Sequence, residues 1–403
     1  MTGGLLQLVA YGKQDRHLIG SPQITFFKMV YKRHTNFSIE SRIIDFKENL
    51  EFGKTLSCVL PRNGDLINNV TLQVELPILE DSFGYVNNIG HALIEEVWIE
   101  IGSTKIDLHY GDWMNIWSEL TTNQNKKNGL NTMLGKVSFT SFDASDNKGG
   151  KYMIPIYFWF CGNNGLSLPI VALQYHDVEL KVKIRPFKDL WVPTTFGDKP
   201  TNKYNPINCN FLVDYIYLDN SERKKFAQDK HEYLIKQLQI NKNNFISEGS
   251  GTKMVDLNFN HPVTELIWVI QRGDVALKRD NGGSDWFNYS DSLTAPFGDP
   301  LISAQLKFNG TDRTIELDPQ YLRLYQPYMR HTSIPDSFIY VYSFALNPEL
   351  SQPTGSCNFS RFDSTQLILN LKKDLPNCSI KIYATNYNIL RIMCGLGGLA
   401  YID

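Results

Sequence analysis

From Asp177 to Ile184 the chain reads DVELKVKI, polar and apolar residues in strict alternation. That is the period of a strand with one face on a core and one in water. Short runs rich in Val, Ile, Thr and aromatic residues, bounded by Gly, Pro and Asn, recur along the chain. They predict strands at Ile24–Tyr31, Val70–Leu76, Leu93–Ile101, Ile154–Phe160, Val178–Ile184, Phe211–Leu218, Glu265–Gln271, Leu301–Phe308, Phe338–Phe344, Gln366–Leu371 and Ile380–Ala384. Three short helices are predicted from their starts. Asp219-Asn220-Ser221-Glu222 resembles a capping box opening a helix to about His231, Asp318-Pro319 sets an N-cap before a first-turn proline, and Asp112 is placed to cap Trp113–Leu120. The helices decorate a β scaffold.

The pattern repeats. Glu95–Leu120 reads as strand, Gly102, short strand, Asp112 and an aromatic helix; Leu306–Met329 reads as strand, Gly310, short strand, Asp318 and an aromatic helix. A second echo joins Ile154–Ile184 to Phe338–Leu371. Two copies of one β domain follow, with a joint near Pro186–Arg223 where Pro186, Pro193, Pro200 and Pro206 thin out the strand signal. About eight strands per half with long connections predict an all-β fold of two tandem eight-stranded jelly-roll sandwiches, with short helices in the connections. Residues 1–23 read as an amino-terminal arm, 24–218 as the first roll with a linker region at about 186–223, and 224–403 as the second. Since connections between antiparallel strands alternate ends, Pro77–Leu93, Thr122–Lys151 and Arg272–Asp299 are expected at one end, and Gly102–Lys105, Cys161–Pro169 and Asn309–Arg313 at the other.

Composition narrows the function. The 403 residues include 42% hydrophobic and 20% charged, which suits a folded chain, and the net charge of −2 lacks the basic excess needed to wrap nucleic acid. The longest apolar run, Tyr152–Cys161, is ten residues and contains Pro155, too short to cross a bilayer as a helix. The opening MTGGLLQLVAYG does not read as a secretion signal, so synthesis is expected to finish in the cytosol. Residues 1–47 hold seven Lys and Arg against three Asp and Glu, a local basic excess that suits an anionic surface or a solvated segment equally. Cys58, Cys161, Cys209, Cys357, Cys378 and Cys394 are scattered, with no C-x-x-C, and reduced thiols are expected.

Catalytic patterns fail one by one. Gly53-Lys54-Thr55 carries the tail of a phosphate-binding loop, but position 48 is Glu rather than Gly. Gly249-Ser250-Gly251 lacks the spacing of a nucleophile elbow, His231-Glu232 is followed by Ile235 where a metalloprotease helix needs His, and Glu95-Glu96 point to opposite faces of a strand. No residue is assigned a catalytic, cofactor-binding or metal-ligating role, no cofactor is expected, and the chain reads as a non-enzyme.

Longer stretches carry a resemblance. Gly4-Leu5-Leu6-Gln7-Leu8-Val9-Ala10-Tyr11-Gly12, Pro22–Lys28 (PQITFFK) and Tyr31–Phe37 (YKRHTNF) open the chain; Phe158-Trp159-Phe160, Leu168-Pro169, Ala172–His176 (ALQYH), Phe226-Ala227-Gln228 and His231–Ile235 (HEYLI) follow. Pro353–Arg361 (PTGSCNFSR), Tyr383-Ala384, Asn386-Tyr387-Asn388, Leu390-Arg391 and Gly395–Tyr401 continue to the end. Together they resemble the major capsid proteins of nucleocytoplasmic large DNA viruses, over nearly the whole chain. The resemblance implies a double jelly roll and a homotrimer of pseudo-hexagonal outline. It also implies a structural role in an icosahedral shell over an internal membrane, assembled in host cytoplasm with minor capsid and penton proteins, and no direct nucleic-acid contact. The amino-terminal arm would face neighbouring components or that membrane. The alternative from another class is a tandem jelly-roll lectin or glycan-processing protein.

Overall fold

Among the described residues, sixteen strands form the four main sheets, eight in each half. The structure, a computed structural model, describes residues 3–137, 147–193, 204–249, 251–277, 285–293 and 296–402. Part of the 186–223 linker, Ser250 and parts of the two longest connections lie outside the described residues. In the first half the strands are β1 (Phe37–Asp45), β2 (Thr55–Val59), β3 (Leu66–Leu76), β4 (Ile94–Ile101), β5 (Thr104–Tyr110), β6 (Gly150–Pro155), β7 (Val178–Ile184) and β8 (Asn208–Leu218). In the second they are β9 (His231–Ile246), β10 (Thr252–Asp256), β11 (Pro262–Arg272), β12 (Leu301–Phe308), β13 (Thr311–Asp312), β14 (Tyr340–Ser343), β15 (Thr365–Leu371) and β16 (Cys378–Met393).

The sheet orders are β1-β8-β3-β6 and β2-β7-β4-β5 in the first half, and β9-β16-β11-β14 and β10-β15-β12-β13 in the second. Adding eight to each strand of the first half gives the second, so the two halves are the same jelly roll written twice. Two short additions, Cys357–Asn358 beside β11 and Leu396–Leu399 beside β16, extend the second roll. All these ladders are antiparallel. Alternation drives them: β7 and β15 bury every second residue, so each sheet presents one apolar face. Those faces meet as two separate cores, one around Leu72, Ile99, Leu180 and Phe211, the other around Leu266, Trp268, Leu369 and Ile382.

The hairpins after β4 and β12 turn on Gly102 (φ +56°) and Gly310 (φ +76°), left-handed conformations that a side chain would strain. Each hairpin feeds a helix: α1 (Gly111–Thr121), followed by α2 (Gln124–Leu134), in the first roll, and the helical residues 319–330, including a π turn at Tyr321–Tyr325, in the second. A further helix, α3 (Asn220–Gln228), leads from one roll to the next. The long connections gather at one end. Leu79 N donates to the Lys148 carbonyl at 2.9 Å, Phe83–Tyr85 pairs with Trp191–Pro193, and Trp286 Nε1 donates to the Asp189 carbonyl at 2.8 Å. At the other end Asn163 meets Ser351 at 3.0 Å and Tyr175 N donates to the Gly395 carbonyl at 3.0 Å. The two rolls therefore stand side by side and point the same way.

Three expectations need correction. Ile24–Tyr31 is not a strand: its large apolar side chains are exposed and it pairs with nothing among the described residues, so β propensity without a ladder partner leaves it irregular. Residues 1–36 form a unit of their own, with helices at Gly3–Val9 and Arg16–Ile19, and the first strand begins at Phe37. Asp112 does not cap α1; Tyr110 is the N-cap residue and Asp112 lies inside the first turn, where it serves a different contact. Asp219 precedes α3 without a side-chain cap, accepting instead from Ser221 Oγ at 3.2 Å.

Candidate functional site: the seam between the rolls

The charged residues and the histidine screened for catalysis are occupied structurally. Lys54 pairs with Glu51 at 2.8 Å in the turn before β2, Glu95 with Lys183 at 2.8 Å, Glu96 with Lys242 at 3.7 Å and Glu232 with Arg391 at 2.8 Å. His231 stacks between Phe226 and Tyr233 and bonds the Phe226 carbonyl at 2.7 Å. Among the described residues no three His, Cys, Asp or Glu side chains gather as a metal site requires, and no helix is long and apolar enough to cross a membrane. The six cysteines are free; burial pushes Cys58, Cys161 and Cys209 up to about 12.

The chemistry that joins the two rolls is a third apolar cluster. Helix α1 turns Met114 into the first core and presents Trp113, Ile116 and Leu120 on its other side. These three pack on Ile267, Val269, Val341 and Tyr383 of the second roll, with Trp117 and Ile240 at the margin. Trp113 stacks on Trp117 with ring centroids 5.3 Å apart and leans on Tyr383 at 5.4 Å. Burial of such rings supplies most of an interface's energy. Consequently β11 is buried on both faces across its whole interior, where β3 still alternates.

Charged groups fix the register of this contact. Asp112 pairs with Lys381, which also donates to Gln271 at 3.0 Å. Glu119 accepts from Lys136, sits 3.6 Å from Lys127, and receives the Asp336 N–H at 3.1 Å. Burial raises a carboxyl, yet the two lysines outweigh it and hold Glu119 below the usual carboxylate range. His331 is clamped between Glu265 at 2.9 Å and Glu349 at 3.0 Å, with Trp117 edge-on at 6.4 Å. Burial alone would depress the imidazole; the two carboxylates overcome it and raise His331 to about 9, so it is a cation at neutral pH. At the long-loop end Arg185 lies 4.1 Å over the Trp286 ring. A cleft of about 620 Å³ opens beside the seam, with His109, Phe158 and Trp159 on one wall and Lys236 and Glu349 on the other. These contacts run from one end of the rolls to the other, so the angle between them is fixed by packing.

A doubled jelly roll is also what comparison with known proteins returns. Residues 25–219 match the family model described as major capsid protein N-terminus, and residues 222–398 match that described as large eukaryotic DNA virus major capsid protein. The chain belongs to the large eukaryotic DNA virus major capsid proteins. Relatives in this capsid family include the major capsid proteins of Pyramimonas orientalis virus, 40% identical, and Phaeocystis pouchetii virus, 36% identical, each alignment covering 100% of both chains. In the quasi-atomic structure of the PBCV-1 virus capsid, one chain is 30% identical, with a TM-score of 0.80 over 94% of this chain and 100% of that one. The Faustovirus major capsid protein shares the fold at 13% identity, with a TM-score of 0.75. The chain is thus a structural major capsid protein of the double jelly-roll type and a component of the virion.

For a capsid protein the seam is the feature that motif reading overlooks. Its signal was present as the aromatic helix repeated after Gly102 and Gly310, but no periodicity shows which outer sheet face such a helix covers.

Proposed function

We propose that this capsid protein forms a homotrimeric capsomer, about three times 46.2 kDa, whose six jelly rolls give a pseudo-hexagonal outline. Such capsomers tile an icosahedral shell around an internal membrane, assembled in host cytoplasm with minor capsid and penton proteins at the gaps between arrays. The observation that carries this reading is the identical strand order of two rolls held at one fixed angle: two equivalent wedges per chain fill six equivalent positions when three chains close a ring. Contacts between rolls of adjacent chains hold the trimer, without disulfides. The subunit works as a tile and not as an enzyme, without a cofactor, and does not contact nucleic acid. The long connections form the outer surface, where length and polarity are tolerated, and the short ones face inward.

Residues 1–23 act as an inner arm toward neighbouring components or the membrane. The helix Gly3–Val9 supports this with Leu5, Leu6, Leu8 and Val9 all exposed, a surface that calls for a partner. Negative-stain microscopy of the purified full chain, with light scattering on the same sample, is expected to show pseudo-hexagonal particles of trimer mass. A discrete monomer that binds glycans would return the lectin reading. Deleting residues 1–23 is expected to leave trimers intact and to impair shell assembly.

A further inference from the structure

The helix after β13 repeats the pattern of aromatic and aliphatic positions of α1, but much of its outward stripe is exposed. At the 208-residue spacing set by Gly102 and Gly310, Met114 of α1 corresponds to Leu322, and each is fully buried in the core of its own roll. Trp113, Ile116, Trp117 and Leu120 then correspond to Tyr321, Leu324, Tyr325 and Tyr328. The stacked pair recurs as well: Trp113 and Trp117 lie 5.3 Å apart with an interplanar angle of 26°, Tyr321 and Tyr325 5.2 Å apart at 22°. In α1 this stripe is seated on the second roll. In the second helix Tyr325 is 52% exposed and Tyr328 is 71% exposed, with Leu324 and Met329 exposed beside them.

The surface that would receive it is also present and partly open to solvent. Beneath α1, Ile240, Tyr383, Ile267 and Val341 form one row across β9, β16, β11 and β14. The central strands β11 and β3 are both eleven residues long, and Ile267 and Thr71 are each sixth. The same row across β1, β8, β3 and β6 is Ile43, Leu212, Thr71 and Pro155. Ile43 is 61% exposed and the other three are half-buried. Even the polar contact has its counterpart. Asp112, which pairs with Lys381 opposite the eighth residue of β11, corresponds to Gln320; opposite the eighth residue of β3 stands Asn210, whose Oδ1 is buried without a hydrogen-bond partner. Two amides thus stand where the seam inside the chain has an ion pair.

Resting on the trimer reading above, we propose that residues 319–330 of one copy dock on the outer face of β1-β8-β3-β6 of the next, repeating between chains the contact α1 makes within one. The occupant is a second copy because the interface continues one already built: first roll on second roll inside the chain, second roll on first roll between chains. Tyr325 and Tyr328 cover Ile43 and Leu212. Such a contact is head to tail, and it closes a ring when three copies each supply one helix and one sheet face.

The test uses the full chain and two surface variants, Tyr325→Glu on the helix and Ile43→Glu on the sheet, with mass read by light scattering and folding by circular dichroism. Both positions are exposed in the single chain, so both variants are expected to keep the wild-type spectrum and unfolding midpoint of a single subunit. Wild type is expected at three times 46.2 kDa, and each variant alone at 46.2 kDa, an association weakened by about 100-fold or more. Mixed together, the intact helix of Ile43→Glu meets the intact sheet of Tyr325→Glu, and a species of twice 46.2 kDa is expected. A wild-type monomer would overturn the trimer reading itself. A wild-type trimer with trimeric variants, or monomeric variants that do not pair on mixing, would overturn this contact and leave the trimer standing.

Discussion

The central strands β3 and β11 have the same length, corresponding neighbours and an apolar inward stretch, Val70, Leu72 and Val74 against Leu266, Trp268 and Ile270, and they differ on the outward face. Thr71 and Gln73 on β3 stand where Ile267 and Val269 stand on β11. The covered face is apolar because α1 excludes water from it within the folded chain; the other is partly open to solvent in the single chain and is more polar. A strand that is apolar on both faces is covered on both within the folded chain, and an exposed aromatic stripe calls for a partner.

The largest effect expected from breaking this comparison comes from Trp113→Ala. The ring is almost fully buried in the seam, and its loss is expected to cost about 4 kcal/mol. Tyr325→Ala at the equivalent uncovered stripe is expected to change the unfolding free energy by less than about 0.5 kcal/mol. Both are read by denaturant unfolding in a monomeric background such as Ile43→Glu. Equal costs would mean that the two stripes are not distinguished by cover.

Acid–base linkage gives a smaller, directional effect on the covered side only. His331 is raised from 6.5 to about 9 in the folded chain. Its contribution is therefore fully present below pH 6.5 and is lost as pH rises through 9, a change of roughly 3 kcal/mol at most. Stability in the same monomeric background is expected to decline across that window, and His331→Gln to flatten the decline. An unchanged slope in the variant would place the titration elsewhere.

Exchanging the outward residues sharpens the contrast further. Ile267→Thr puts a first-roll residue under α1 and is expected to cost about 2 kcal/mol through lost packing and a buried hydroxyl. Thr71→Ile is expected to shift the single subunit's stability by less than about 0.5 kcal/mol while strengthening association. The smallest effect is chemical: the exposed Cys394 is expected to react with a thiol reagent in the native protein, while the buried Cys58 and Cys209 react only on unfolding, with no measurable loss of stability from labelling Cys394.

Much of this fold is legible in residue order. Strands with a strict one-sided pattern, such as Val178–Ile184 and Gln366–Leu371, stand where alternation places them, since one buried face is all their environment requires. The paired glycines at 102 and 310 mark the doubled roll because both turns need a left-handed residue. Strand β9 (HEYLIKQLQINKNNFI) escapes the same reading because it is an edge strand, rich in Lys, Gln and Asn, and its order comes from fourteen paired positions on β16. Ile24–Tyr31 misleads in the opposite sense, having the composition of a strand and no ladder. Asp112 looks like a helix cap in sequence because its partner, Lys381, is 269 residues away. The seam lies beyond the reach of periodicity for that same reason, although comparing the two helices at their shared spacing exposes it once one of them is seen covered.

Single-particle cryo-electron microscopy of the assembled particle tests the central claim most directly. The account predicts that residues 319–330 of one copy lie across β1-β8-β3-β6 of the next, with Tyr325 and Tyr328 over Ile43 and Leu212, and that this pair superposes on α1 and the outer face of the second roll. A particle in which that sheet face is open to solvent, or covered by a different element, would contradict it.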